Sequence, residues 1–228
     1  MSSTIVPTDT QVASPASADA QRSETVRVEA FSDGVFAIAI TLLIIEVRVP
    51  PPDAVHGAGG LWRALVALWP SYLAYAISFL TIGIMWINHH NIFNFIARSD
   101  HRFMILNVLY LMCIAFMPFP TAVLAENLPE AAERSAAAAF YSGAFLATAV
   151  AYNRLWWYAR RADLLASWAD ARLVGAITGR FALAPAAYLV AFALAFVSVP
   201  ACLAVHGLLA AFFMVSPRES ALQAAPSV

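Results

Sequence analysis

Arg27-Val28-Glu29-Ala30-Phe31-Ser32-Asp33-Gly34, continuing as Val35-Phe36-Ala37-Ile38-Ala39-Ile40-Thr41-Leu42-Leu43-Ile44-Ile45, decides how the rest of this chain is read. A short charged lead passes into an apolar run interrupted only by Thr41. A helix over residues 24–48 is long enough to cross a hydrocarbon core of about 30 Å, which takes about 20 residues. Val49-Pro50-Pro51-Pro52 ends it, because three successive prolines supply no amide donors.

The surrounding chain repeats this character. Of 228 residues, 61% are hydrophobic and 12% charged, a balance that would cover a soluble domain of this size in apolar surface. The expected fold is an all-α integral membrane protein with six transmembrane helices per subunit. Further spans are expected over 64–88, over 103–124 with a kink at Pro118 and Pro120, and over 135–157. The apolar stretch 181–215 is too long for one span and reads as a hairpin broken at Val199-Pro200, its second helix short. The Arg-rich segment 154–172 reads as an amphipathic helix on the membrane surface.

Residues 1–23 are rich in Ser, Ala, Thr and Pro, lack the apolar core of a signal peptide and are expected to be a disordered tail. The six-helix transmembrane domain is then 24–217, with a second tail over 218–228. Cys113 and Cys202 both lie in apolar runs and read as buried thiols. No basic cluster interleaved with exposed aromatics points to nucleic acid.

The chain has no lysine, so its thirteen basic residues are all arginines. With six spans and the N-terminus inside, Arg22, Arg27, Arg98, Arg102, Arg154, Arg160, Arg161, Arg172, Arg180 and Arg218 fall on the cytoplasmic side. Arg48, Arg63 and Arg134 fall outside. Cytoplasmic loops carry the excess of positive charge, so both termini are expected in the cytoplasm.

The residues of the first helix leave two readings open. Ser32 and Asp33 cap its start, with Arg27 on a flexible lead, or Arg27 and Asp33 belong to a polar network near the mouth of a pathway. A helix that begins before Arg27 excludes the first. Ile38, Thr41, Leu42 and Ile45 share one stripe at i, i+3, i+4 and i+7, which serves packing or lipid contact as readily as a pore. Glu46 is either a snorkelling carboxylate or part of a cation-attracting ring. His89 and His90 lie at a membrane boundary, where a histidine is as readily a satisfied interfacial residue as a sensor.

Arg27, Phe31, Ser32 and Asp33, with the run Gly34 to Leu43, closely resemble the first-helix signature of the prokaryotic branch of the lysosomal potassium channel family (transmembrane protein 175). Trp86-Ile87-Asn88-His89-His90 and Pro118-Phe119-Pro120-Thr121 are similar to it as well. The resemblance covers the first half of the chain; from about residue 135 only helix count and apolar character match. It implies a weakly selective potassium channel, a homotetramer whose central pore is lined by the first helix of each subunit. Ile38 then maps to the hydrophobic constriction, Leu42 and Ile45 to further apolar layers, and Thr41 to a nearby hydroxyl. It also implies that Trp86, His89 and Asn107 hold the Arg27, Phe31, Ser32 and Asp33 segment.

No re-entrant filter loop of the Thr-Val-Gly-Tyr-Gly kind is present, as the resemblance implies. An apolar ring admits an ion that rearranges its water, which costs less for potassium than for sodium. No cofactor is expected beyond permeant potassium and other monovalent cations, and the expected location is a bacterial inner membrane. The signature occurs once and no internal repeat is evident, so a symmetric pore requires several subunits; small residues Gly34, Ala37 and Ala39 favour close helix approach.

Three other classes remain. A coupled secondary transporter calls for ionisable residues or broken helices at the midplane, and only the Pro118 and Pro120 kink answers to that. An intramembrane enzyme calls for a nucleophile or metal with a general base, and Asp33 and Asp100 have no evident companions. A purely structural membrane protein follows if Ile38 and Leu42 face lipid.

Overall fold

The computed structural model describes the backbone of residues 15–215 and side chains within 24–214. Helices account for nearly all of it: α1 Pro15–Leu42, tightening into a 3₁₀ turn Leu43–Glu46; short α2 Pro52–Gly57 and α3 Leu61–Ala67; α4 Trp69–Phe93; α5 His101–Phe116; α6 Pro118–Asn127; α7 Arg134–Arg161; α8 Ala171–Ala195; and α9 Val199–Val215. Five helical segments are long and apolar enough to cross a membrane, α5 and α6 counting as one, and α9 is a shorter apolar helix. The chain is therefore an all-helical membrane protein.

Helix α7 is the central post, packing on α5, α6, α8 and α9, while α1 lies along α4 and α5 at one edge. Aromatic rings fill the middle: Tyr110 lies 5.3 Å from Tyr152, which meets Phe181 edge-on at 4.9 Å. Ser78, Thr121 and Tyr141 join α4, α6 and α7 by buried hydroxyl hydrogen bonds of 2.8 and 2.9 Å. Ser142 meets His206 of α9 at 2.9 Å, a further buried hydroxyl partnered across a helix boundary, whereas the buried hydroxyls of Thr81 and Tyr110 find no hydrogen-bond partner among the described residues.

Prolines set the interruptions. At Met117, whose backbone stays helical, the hydrogen-bond ladder is interrupted: Pro118 has no amide N–H, and Met117 N reaches back to the Ile114 carbonyl in a 3₁₀ step. Pro185 stands inside α8 and leaves the Phe181 carbonyl without its helical donor. Asn153 of α7 supplies one, its Nδ2 donating to Phe181 O at 3.0 Å and to Ala149 O at 2.9 Å. Ser198 and Pro200 start α9, with Cys202 N donating to Ser198 O.

Three expectations are corrected. The Arg-rich segment is not a surface helix: Arg154, Arg160 and Arg161 end α7, a loop follows, and Arg172 opens α8. Helix α8 begins ten residues before 181, so Arg180 lies within it, its guanidinium 5.4 Å from the Phe213 ring. The amphipathic reading failed because Asp170 caps α8, its carboxylate accepting from Leu173 N at 2.7 Å. Helix α1 begins at Pro15, so the last part of the segment assigned to a tail is helical; residues 1–14 and 216–228, the latter holding the second expected tail, lie outside the described residues.

Two loops meet at one end of the bundle. Ala97 N donates to Leu164 O and Ala166 N to Phe95 O, and Arg98 donates to the Asp163 carbonyl at 3.1 Å. Asp100 caps α5 through Phe103 N and accepts from Tyr158 Oη, both at 2.7 Å.

Candidate functional site: the two faces of the first helix

Helix α1 has sharply different faces. Ser32, Phe36, Ala39 and Leu43, spaced four, three and four apart, are buried against α4 and α5. Turned away are Phe31, Ile38, Leu42 and Ile45, exposed by 61%, 61%, 41% and 65%, with Gly34, Ala37 and Thr41 on the same side. Both faces are apolar, so hydrophobicity alone does not orient this helix. Ala39 belongs to the inner face, whereas Gly34 has open space around it.

Polar contacts do orient it. Ser32 Oγ donates to Val28 O at 2.8 Å and accepts from Asn107 Nδ2 at 2.9 Å. Asn107 Oδ1 lies 2.9 Å from His89 Nε2; with the amide oxygen as acceptor, the imidazole carries its proton on Nε2. His89 is fully buried between Phe36, Phe93 and Tyr110, stacked on Tyr110 at 5.6 Å. A single chain of hydrogen bonds thus joins α1, α5 and α4.

A second contact line flanks it. Asp33 accepts the Trp86 indole N–H at 2.8 Å, and Glu29 lies 2.8 Å from His90 Nδ1. Glu29 and Asp33 are one turn apart on α1, as Trp86 and His90 are on α4, so the two antiparallel helices are pinned in register at two points. Asp33 lies well inside α1, and the capping reading of Ser32 and Asp33 fails for that reason.

The residues expected in this network separate into two groups. Ser32, Asp33, Trp86, His89 and Asn107 come together; Arg27 and Phe31 do not, both being exposed on the outward face beside a hollow also lined by Met104 and Val108. The Glu29–His90 pair and Tyr110 were missed. The four-residue spacings 29/33 and 86/90 were the available signal, but one carboxylate and one histidine among many polar residues do not announce a partner.

Along the outward face Thr41 Oγ1 is 2.9 Å from both Ala37 O and Ile38 O, which spends its proton on the helix and leaves its oxygen lone pairs facing out. Glu46, half-buried, sits on the 3₁₀ turn, and beyond it Arg48 pairs with Glu126 at 3.2 Å on the surface. Among the described residues no group of three or more His, Cys, Asp or Glu is placed to hold a metal ion.

Residues 27–118, from α1 to the break before α6, match the family model described as endosomal/lysosomal potassium channel TMEM175. A potassium channel of Streptomyces collinus is 51% identical over 208 residues, covering 90% of this chain and all of the relative. One of Chamaesiphon minutus is 53% identical over 194 residues, covering 85% and 95%. The crystal structure of a lysosomal potassium-selective channel TMEM175 homologue from Chamaesiphon minutus superposes with a TM-score of 0.77 at 49% identity, over 84% of this chain and 97% of that one. Half-identical to such relatives over nearly its whole length, the chain belongs to the TMEM175 family.

Proposed function

We infer that this protein is the subunit of a potassium channel whose pore is lined by the outward face of α1. The observation that carries this reading is the orientation of that helix: hydrogen bonds from α4 and α5 hold one apolar face inside and present Ile38, Thr41, Leu42 and Ile45 together on the other. A single chain offers that stripe no partner. Four copies around an axis do, and the small Gly34 and Ala37 on the same face permit close approach.

In this arrangement Ile38 forms the constriction, with Leu42 and Ile45 as further rings. Partial dehydration at an apolar ring is cheaper for potassium than for sodium, which yields a weak preference without a carbonyl filter. The Thr41 lone pairs soften the passage. Arg27 and Phe31 stand at the mouth, and the Ser32–Asn107–His89 chain with the Asp33–Trp86 contact keeps the stripe from rotating away. The subunit crosses a bacterial inner membrane six times, α9 being the sixth span, with both ends in the cytoplasm; the joined loops at one end and the helix ends beside them, which together carry Arg98, Arg102, Arg160, Arg161 and Arg172, support that orientation.

Potassium and sodium flux into proteoliposomes, compared for wild type and Ile38→Asn, tests the reading. The expected result is a potassium preference in the wild type and a higher, less selective flux in the variant. Unchanged flux in the variant, or saturable solute-dependent transport without single-channel steps, overturns it.

A further inference from the structure

On the side of the bundle away from α1, helices α7 and α8 enclose a groove of about 590 Å³. Its floor is apolar, formed by Val150, Ala182 and Pro185, and its rim carries Arg154, Arg160 and Trp157. Arg160 is held in place, donating from Nη1 to Thr178 Oγ1 at 2.9 Å, the same oxygen that takes the Trp156 indole N–H at 3.0 Å. Arg161 lies over the Trp157 ring at 4.2 Å. Val150, Arg154, Trp157 and Arg161 follow one another at helical spacing, so an exposed indole stands between two guanidinium groups on one face of α7.

Arg154 is the residue that needs explaining. It lies seven residues before the end of α7, roughly 10 Å along the helix from that end at 1.5 Å per residue. Its side chain is exposed, and no hydrogen bond or ion pair to it forms among the described residues. An unpaired guanidinium near the end of a membrane-spanning helix is a ready partner for an anion at the membrane surface. The nearby carboxylates do not reach it: Asp170 is engaged at the start of α8, and Asp163 belongs to a separate hollow on the far side of Arg160.

We propose that this groove binds an anionic phospholipid, its headgroup phosphate between Arg154 and Arg160 and one acyl chain along Val150, Ala182 and Pro185. The charge and the lining suit a lipid rather than a free anion: Arg154 and Arg160 stand towards one end of α7 with the exposed Trp157 indole between them, and Val150, Ala182 and Pro185 offer an apolar surface to a chain.

Native mass spectrometry of the full-length protein tests this, with phosphatidylglycerol and phosphatidylcholine of identical acyl chains added in turn. Wild type is expected to retain phosphatidylglycerol at roughly fivefold lower concentration than phosphatidylcholine, the effect of about one arginine near a phosphate. Arg154→Gln is expected to remove most of that preference and Arg154→Lys, which keeps the charge, to retain it. Equal retention of the two lipids by the wild type, or a preference unchanged in Arg154→Gln, overturns the proposal. So does displacement of phosphatidylglycerol by inorganic phosphate at millimolar concentration, which would make the occupant a free anion.

Discussion

Asn107 is the residue on which the orientation of α1 depends most directly, because its amide hydrogen-bonds with both Ser32 and His89. Asn107→Ala is expected to destabilise the protein by about 1–3 kcal/mol, since the buried His89 Nε2 loses its partner in an apolar surrounding and Ser32, which keeps its bond to Val28 O, loses the contact that ties it to α5. Thermal unfolding in detergent reads this directly. At Asp33 charge and hydrogen bonding separate: Asp33→Asn keeps a carbonyl oxygen for the Trp86 N–H, whereas Trp86→Phe removes the donor. The second substitution is expected to cost about 1 kcal/mol and the first less. A larger loss from Asp33→Asn would mean that the charge, not the hydrogen bond, matters.

Asp100 carries a pH signature. Desolvation is the largest single influence and pushes its pKa up, but the hydrogen bonds from Phe103 N, Tyr158 Oη and the Arg102 amide, with the Arg102 charge, together outweigh it and hold the carboxyl below the usual range. A depressed folded value means that the stabilisation is complete above the ordinary aspartate pKa of 3.8 and is lost as pH falls through the lowered one. Asp100→Ala is therefore expected to cost about 1 kcal/mol as a lost cap at pH 7 and at pH 5, with the gap to wild type closing only in strongly acidic solution. Unfolding midpoints across that range check it.

Helix α8 shows how one element depends on its neighbour. Pro185 frees the Phe181 carbonyl and Asn153 fills the gap from α7, so the two residues act as a unit. Asn153→Ala is expected to cost about 1–2 kcal/mol in the wild type. In a Pro185→Ala background, where the helix supplies its own donor, the cost is expected to fall by about 1 kcal/mol. Additive effects in this double-mutant cycle would show that the contact is incidental.

The break at Met117 and the early start of α8 mark what sequence reading handles well and badly. Pro118 and Pro120 announce an interruption because proline chemistry is local. The start of α8 was missed because residues 171–180 mix Arg172 and Arg180 with apolar and small residues, and charge content masked a continuous helix. The paired spacing of Glu29 and Asp33 with Trp86 and His90 was visible only as polar residues at helix ends, since partnership depends on two helices being antiparallel and in register.

For the assembled molecule, the exposed stripe of α1 makes a geometric prediction. In a Cys113→Ser background, Ile45→Cys is expected to form disulfide-linked dimers under mild oxidation, because in the proposed assembly equivalent residues around a narrow axis come near the ~7 Å Cα separation a disulfide permits. Leu189→Cys, on α8 away from α1 and also exposed, is expected to remain monomeric on a denaturing gel. Cross-linking at Leu189 and not at Ile45 would reverse the assignment of inner and outer edges.

The amino-acid order on its own dictates a helical membrane protein: the apolar runs, the proline stops and the arginine distribution are local properties, and the Arg27 to Leu43 signature carries the family. Which side of α1 faces inward is not contained in that pattern, because in a bilayer an apolar residue is equally at home against protein or lipid. That decision belongs to the packed bundle, where Ser32 finds Asn107, Asp33 finds Trp86 and Glu29 finds His90. Where burial no longer distinguishes one apolar face from the other, a few hydrogen bonds that cannot be left unmade turn the helix.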